Sequence, residues 1–114
     1  MPMLRIQTNQ PVDAKQGEAL VAEASRAVAA MLGKPERYVM VALEPCAAMA
    51  FAGDSSPLAY LELKSIGLPQ GRTAALSQSL CAFVTKALGV PAERVYIEFA
   101  DATGGMWGWN GTTF

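Results

Sequence analysis

The sequence predicts an α/β (α+β) fold in which two β-α-β repeats form one four-stranded mixed sheet with two helices on one face. The first observation is a pattern that occurs twice, in Leu32–Val39 and Leu88–Tyr96, where glycine ends a helix, proline follows two residues later and an apolar strand begins. The second observation is the spacing of the two copies, which is about half of the 114 residues. The chain is therefore expected to be one domain with repeat halves at about 1–57 and 58–114.

The first half predicts a strand, a helix and a second strand. Met3–Thr8 is the first strand. A helix follows Asp13, because Gln16 stands three residues later as in a capping box, and the helix ends at Gly33. Tyr38–Leu43 is the second strand. The apolar residues spaced to form one face of the helix are Leu20, Ala24, Ala27, Val28 and Met31.

The second half repeats this order after a loop over residues 46–57. Leu58–Ile66 is the third strand, Arg72–Leu88 the second helix and Arg94–Asp101 the fourth strand. The glycine-rich, aromatic tail contains Asn110-Gly111, a pair typical of tight hairpin turns. The predicted buried stripe of the second helix is Leu76, Leu80, Phe83, Val84 and Leu88.

A sheet with both helices on one face leaves its other face uncovered. In the fourth strand Val95, Ile97 and Phe99 are expected to face the helices, whereas Tyr96 and Glu98 point the other way. Only 17% of the residues are charged, fewer than in an average globular domain. Another subunit would cover the open face, although composition alone also allows a lipid-contacting or sticky monomer.

Composition excludes several kinds of chemistry. The chain has no histidine, which removes Ser-His-Asp catalysis and histidine metal sites, and no metal site is expected. Cys46 and Cys81 form no Cys-x-x-Cys pair, and Cys81 reads as a small core residue. A net charge of −1 without a basic block argues against nucleic-acid binding. No apolar run is long enough to span a membrane, and no signal peptide is visible.

The N-terminus carries the first chemical hint. Proline at position 2 is small enough for Met1 to be removed routinely, which frees a secondary amine on a rigid ring. The freed nitrogen of Pro2 would be basic, whereas every internal proline nitrogen is an amide. The alternative is a terminus that frays into solvent and has no role.

Seven segments together resemble the macrophage migration inhibitory factor and D-dopachrome tautomerase family. They are Pro2-Met3, Thr8–Pro11, Gly33–Tyr38, Met49–Gly53, Ser65–Gly67, Arg94–Ile97 and Gly108–Phe114. The resemblance covers essentially the whole chain and implies a ring-shaped homotrimer with an active site between neighbouring subunits. It implies keto–enol tautomerisation without a cofactor, with freed Pro2 as catalytic base and phenylpyruvate-type 2-oxo acids or dopachrome derivatives as test substrates.

The same resemblance implies roles for further residues. Lys34 matches the lysine that steadies a substrate carboxylate or oxygen, and Ser65 with Ile66 matches the segment beside the proline. Tyr96 matches a tyrosine contributed across the subunit interface. The aromatic positions at the pocket rim correspond to Tyr38, Trp109 and Phe114, which without the resemblance would be read as core.

Three departures from the family pattern bear on the expected site. Glu98 replaces an asparagine, and its charge would repel an anionic substrate. Trp107 occupies a rim position that is small and aliphatic in the mammalian cytokine, which predicts a narrower mouth. Leu58 and Leu61 stand where some members carry Cys-x-x-Cys, so no thiol oxidoreductase activity is expected.

Two other functions compete with the enzyme. One is a cytokine-like signalling or binding protein with a vestigial pocket and an unknown receptor. The other is a ferredoxin-like RNA-binding module, which shares the order β-α-β-β-α-β. Residues Tyr96–Phe99 are acidic at their centre, and this disfavours RNA. The expected location is cytoplasmic, or outside the cell after export without a signal peptide.

Overall fold

Two long helices and four strands form the body of the chain in a computed structural model that describes all residues, 1–114. The helices are α1 (Ala14–Leu32) and α2 (Thr73–Leu88). The strands are β1 (Met3–Thr8), β2 (Met40–Pro45), β3 (Ala59–Ile66) and β4 (Val95–Ala102).

The strand order β2-β1-β3-β4 confirms the mixed four-stranded sheet. β1 is parallel to β2, and β3 is parallel to β4, so each half of the chain is a β-α-β unit. The two units meet at the centre of the sheet, where β1 and β3 run antiparallel. Parallel strands need a long crossover, and each unit supplies one with its helix.

The core lies between the sheet and the two helices. β1 and β3 alternate between buried and partly exposed residues, because successive side chains point to opposite faces of a sheet. The helix stripes supply the other side of this core, as predicted. The innermost side chains, each at most 1% exposed, include Leu4, Ile6, Leu61, Leu63, Val28, Leu80 and Val84.

The ends of α1 follow the predicted chemistry. The carboxylate of Asp13 accepts a hydrogen bond from the Gln16 backbone N–H at 2.8 Å, and the Gln16 side chain accepts one from the Asp13 N–H at 3.2 Å. At the other end Gly33 has φ 63°, a left-handed conformation that a residue without Cβ adopts without strain.

The second strand begins later than the sequence predicts. Tyr38 was expected in that strand but closes a 3₁₀ turn over Glu36–Tyr38, in which the Val39 N–H donates to the Glu36 carbonyl at 2.9 Å. The equivalent turn in the second half, Ala92–Arg94, likewise moves Arg94 out of β4. Apolar periodicity cannot separate a strand from a short turn that also carries an aromatic or aliphatic side chain.

The tail forms the tight turn that Asn110-Gly111 predicts. Gly108–Trp109 (β5) and Thr112–Thr113 (β6) pair antiparallel. Asn110 and Gly111 both have positive φ, 52° and 77°, as the two central residues of this turn type require. The hairpin places the C-terminal aromatic residues beside the start of β2.

The sheet face opposite the helices carries a polar network. The Arg5 guanidinium forms an ion pair with Glu44 and lies 3.5 Å from Glu62. Tyr60 donates to Glu62 at 3.2 Å and to Glu98 at 2.5 Å. No element of the chain covers this face, and no helix is both long and apolar enough to cross a bilayer.

Asp13→Ala removes one of the two reciprocal bonds that begin α1. We expect the free energy of unfolding to fall by about 1 kcal/mol, the usual cost of losing a side-chain cap. Urea denaturation at fixed chain concentration measures the change, and the exposed Lys15→Ala next to it is the control. Equal midpoints for the two variants would contradict a stabilising cap.

Candidate functional site

Pro2 is anchored rather than frayed. Its side chain is fully buried, and its carbonyl accepts a hydrogen bond from the Met40 N–H at 3.0 Å. The β1–β3 register pairs Met3 with Lys64, and one step further along this ladder Pro2 lies opposite Ser65. The start of β1 is therefore held between β2 and β3, and the alternative of a fraying terminus is wrong.

A cavity of about 270 Å³ opens beside Pro2. The 3₁₀ turn that ends at Tyr38 forms one wall, and the C-terminal hairpin forms another. The residues that line it are Met1, Pro2, Met3, Arg37, Tyr38, Val39, Met40, Trp107, Gly108, Trp109 and Phe114. This lining includes Pro2 and all four side chains that were expected at the rim of the site, Tyr38, Trp107, Trp109 and Phe114.

Three of the cavity's aromatic rings form a packed cluster. The Tyr38 ring meets Trp109 edge-on at 5.6 Å and Phe114 edge-on at 5.7 Å between ring centroids. Trp109 and Phe114 stack at 5.4 Å. Such contacts hold the rings in fixed orientations and leave an apolar wall facing the start of the chain.

Lys34 follows the end of α1 and reaches the end of β3. Its Nζ donates to the Ile66 carbonyl at 2.6 Å. Burial and, as a smaller effect, the positive charge of Lys34 lower the pKa of the Met1 α-amino group below its ordinary value. The surroundings of the N-terminus therefore disfavour a second positive charge.

Ser65 has an unusual environment for a hydroxyl. It is 0% exposed, and its Oγ has no hydrogen-bond partner. Buried polar atoms in proteins are almost always hydrogen-bonded, so an unpaired one beside a candidate site requires an explanation.

Tyr96 and Glu98 do not join this cavity within one chain. Tyr96 pairs with Tyr60 in the sheet, and Tyr60 pairs with Gln7, five residues from Pro2. At about 3.4 Å per residue, roughly 17 Å of strand separates the two positions. Tyr96 is 65% exposed on the open face, where its ring contacts Phe51 at 4.6 Å.

Sequence reasoning missed Arg37 as a lining residue. Its guanidinium lies 4.8 Å from the centroid of the Tyr38 ring, and the residue contributes a positive charge to the cavity lining. The available signal was its position directly before an aromatic rim residue in the repeated pattern. No group of three or more Cys, Asp or Glu side chains is placed to hold a metal ion.

These features define a small α+β protein with an N-terminal proline at an aromatic, cationic cavity. A model of the macrophage migration inhibitory factor (MIF) family matches residues 1–114, and the chain belongs to this family. Macrophage migration inhibitory factor of Meriones unguiculatus is 37% identical over 100% of this chain and 99% of its own, and that of Xenopus tropicalis is 35% identical with the same coverage.

Solved structures agree with this assignment. The homologue from Prochlorococcus marinus superimposes with a TM-score of 0.91 at 43% identity, over 98% of both chains. The protein from Trichinella spiralis superimposes with a TM-score of 0.90 at 32% identity, over 98% of this chain and 99% of that one.

Hydrogen bonding to Glu98 raises the pKa of Tyr60 to about 12, because donation to a carboxylate favours the neutral phenol. Since the pKa is higher in the folded state, the stabilisation is present below the ordinary tyrosine pKa and is lost as pH rises through about 12. Glu98→Gln is expected to lower this pKa. Absorbance of the tyrosinate, with Tyr60→Phe to identify its contribution, measures the shift; an unchanged titration would contradict the hydrogen bond.

Proposed function

We propose that this protein is a cofactor-independent keto–enol tautomerase of the phenylpyruvate type, in which Pro2 acts as catalytic base after removal of Met1. The observation that carries the proposal is a buried, anchored N-terminal proline at an aromatic cavity with Lys34 and Arg37 nearby. Family membership supports the general class, because the tautomerase superfamily contains this family.

The proposed reaction is a proton shuttle. The Pro2 amine takes a proton from the carbon next to the substrate carbonyl, so that the C–H bond breaks and an enolate forms. A proton then bonds to the enolate oxygen and gives the enol. This proton is either the one now carried by the Pro2 ammonium or one from solvent. The aromatic wall suits a phenyl ring, and the cations suit the substrate carboxylate.

The environment favours a base that works near neutral pH. An α-amino group ordinarily titrates near 7.7–8.0, and a proline amine is somewhat more basic. Burial and the Lys34 charge lower the pKa of the amine at the present terminus, and Pro2, one residue further in, is more deeply buried. A base with a pKa near the working pH can both accept and return a proton.

Removal of Met1 is a prerequisite for this mechanism. While Met1 is attached, the Pro2 nitrogen is an amide without a basic lone pair. Met1 also lines the cavity, so it occupies space next to the proposed base. The unprocessed chain is therefore an inactive precursor of the proposed enzyme.

We also propose a homotrimer whose active sites lie between subunits. The uncovered sheet face and the exposure of Tyr96 support a neighbouring chain, and the strand length between Tyr96 and Pro2 means that one chain cannot bring them together. A second subunit would bring Tyr96 and Glu98 to the cavity of the first.

Pro2→Gly replaces the secondary amine of the freed proline with a primary amine, which is less basic and lacks the rigid ring. With Met1 removal verified by intact mass, we expect kcat/KM for phenylpyruvate to fall by about 100-fold or more, the usual contribution of a general base. A chain with alanine inserted between Met1 and Pro2 should be equally inactive. An unchanged rate in either variant would refute Pro2 as the base.

Mixed trimers test the shared site. Chains of Pro2→Gly and of Tyr96→Ala should each be weakly active alone and regain activity after they are unfolded and refolded together. Recovery is expected because some interfaces then combine an intact Pro2 with an intact Tyr96. Sedimentation should give three times the 12.1 kDa chain mass. No recovery in a complex of that mass would place the whole site in one chain.

A cytokine-like binding role is the competing function, supported by the relatives' names, which refer to inhibition of macrophage migration. It predicts weak turnover of every 2-oxo acid together with measurable affinity for a cell-surface receptor. It also requires the protein outside the cell, whereas the enzyme needs only a cytoplasmic location.

A further inference from the structure

We propose that Ser65 is a positioning residue for Pro2, whose freed amine donates its N–H to the Ser65 Oγ. The inference rests on the proposed function, because it assigns Ser65 a role toward the base rather than toward the substrate. It is carried by an unpaired, fully buried hydroxyl that lies across the strand ladder from the proline.

Comparison with the other fully buried hydroxyl on this sheet face shows what is unusual. Thr8 lies at the far end of β1, donates to the Leu58 carbonyl at 2.8 Å and accepts from the Gln10 N–H at 3.1 Å. The Ser65 Oγ makes no hydrogen bond. A buried hydroxyl without a partner loses its hydration without compensation.

The register places Ser65 and Pro2 side by side. Residues opposite each other in an antiparallel pair point to the same face, with Cβ atoms about 4.5–5.5 Å apart. Both side chains are buried on the helix side of the sheet, so the Ser65 hydroxyl and the Pro2 ring share one face.

Other groups near Ser65 already have partners. Asp101, its neighbour on β4, accepts from the Leu68 N–H at 2.9 Å. The Lys34 ammonium donates to the carbonyl of the next residue, Ile66. The Pro2 nitrogen is thus the position where a new donor appears when the chain is processed.

Processing changes the chemistry of that nitrogen. As an amide to Met1 it carries no hydrogen, and Ser65 stays unpaired. The freed neutral amine has one N–H and one lone pair, so donation of the N–H to Ser65 leaves the lone pair free to point away, toward the cavity. The protonated amine keeps this bond in a stronger, charge-assisted form.

Removal of the Ser65 hydroxyl should therefore change the pKa of Pro2, an effect that a purely structural role would not produce. Because the bond is stronger to the ammonium, Ser65→Ala is expected to lower the pKa of Pro2 by about 0.5–1 unit. The charged or titratable groups that surround the nitrogen, Lys34, Arg37, Tyr38 and Asp101, are unaltered in this variant.

The experiment is a pH titration of the processed chain labelled with ¹⁵N-proline. The N-terminal nitrogen is the one proline nitrogen that titrates, so its ¹⁵N shift reports the Pro2 pKa directly. Ser65→Ala should lower this pKa, Ser65→Thr should restore it, and Thr8→Val, which loses a hydroxyl far from Pro2, should leave it unchanged. A folded Ser65→Ala chain with an unmoved pKa would overturn the proposal.

Stability supplies a second test that does not depend on turnover. Ser65→Ala should lower the urea midpoint of the processed chain but leave it unchanged or higher when alanine is inserted between Met1 and Pro2. Equal effects in both backgrounds would overturn the proposal. Failure of Pro2→Gly to affect turnover would refute Pro2 as the catalytic base and leave these two measurements interpretable.

Kinetics then separates positioning from substrate contact. In Ser65→Ala we expect kcat to fall by about tenfold while KM for phenylpyruvate stays within about twofold, because the base is misaligned but the pocket is intact. A rise in KM with unchanged kcat and unchanged Pro2 pKa would assign Ser65 to the substrate and overturn the proposal.

Discussion

The antiparallel pairing of β1 with β3 is the constraint on which the rest of the structure depends. It joins the two β-α-β units into one sheet and puts the chain's first strand at the sheet's centre. An N-terminal strand between two neighbours cannot fray without breaking two ladders of hydrogen bonds. That position gives the terminal proline a fixed place in the protein.

Burial also sets how easily the amine at this end of the chain is protonated. Pro2 is enclosed by β2, β3 and the aromatic hairpin. Burial and, as a smaller effect, the ammonium of Lys34 lower the pKa of the adjacent Met1 amine. An amine that is hard to protonate is a poor structural cation but a useful base at neutral pH. The same enclosure leaves the Ser65 hydroxyl without a hydrogen-bond partner.

The opposite face of the sheet has a different character. Its ionic and phenolic side chains pair with one another, yet Tyr96 stays largely exposed. These side chains are hydrogen-bonded to one another but incompletely buried, and the incomplete burial supports the proposed homotrimer.

The sequence by itself determined the fold class, because a repeated helix-stop pattern and two apolar periodicities depend only on neighbouring residues. It also indicated the capping box at Asp13 and the turn at Asn110-Gly111. Local pattern could not show that Tyr38 closes a turn or that Arg37 lines the cavity. Only the tertiary structure decided that Pro2 and Ser65 are opposite each other and that Tyr96 lies far from both, because strand register is set by pairing between distant segments.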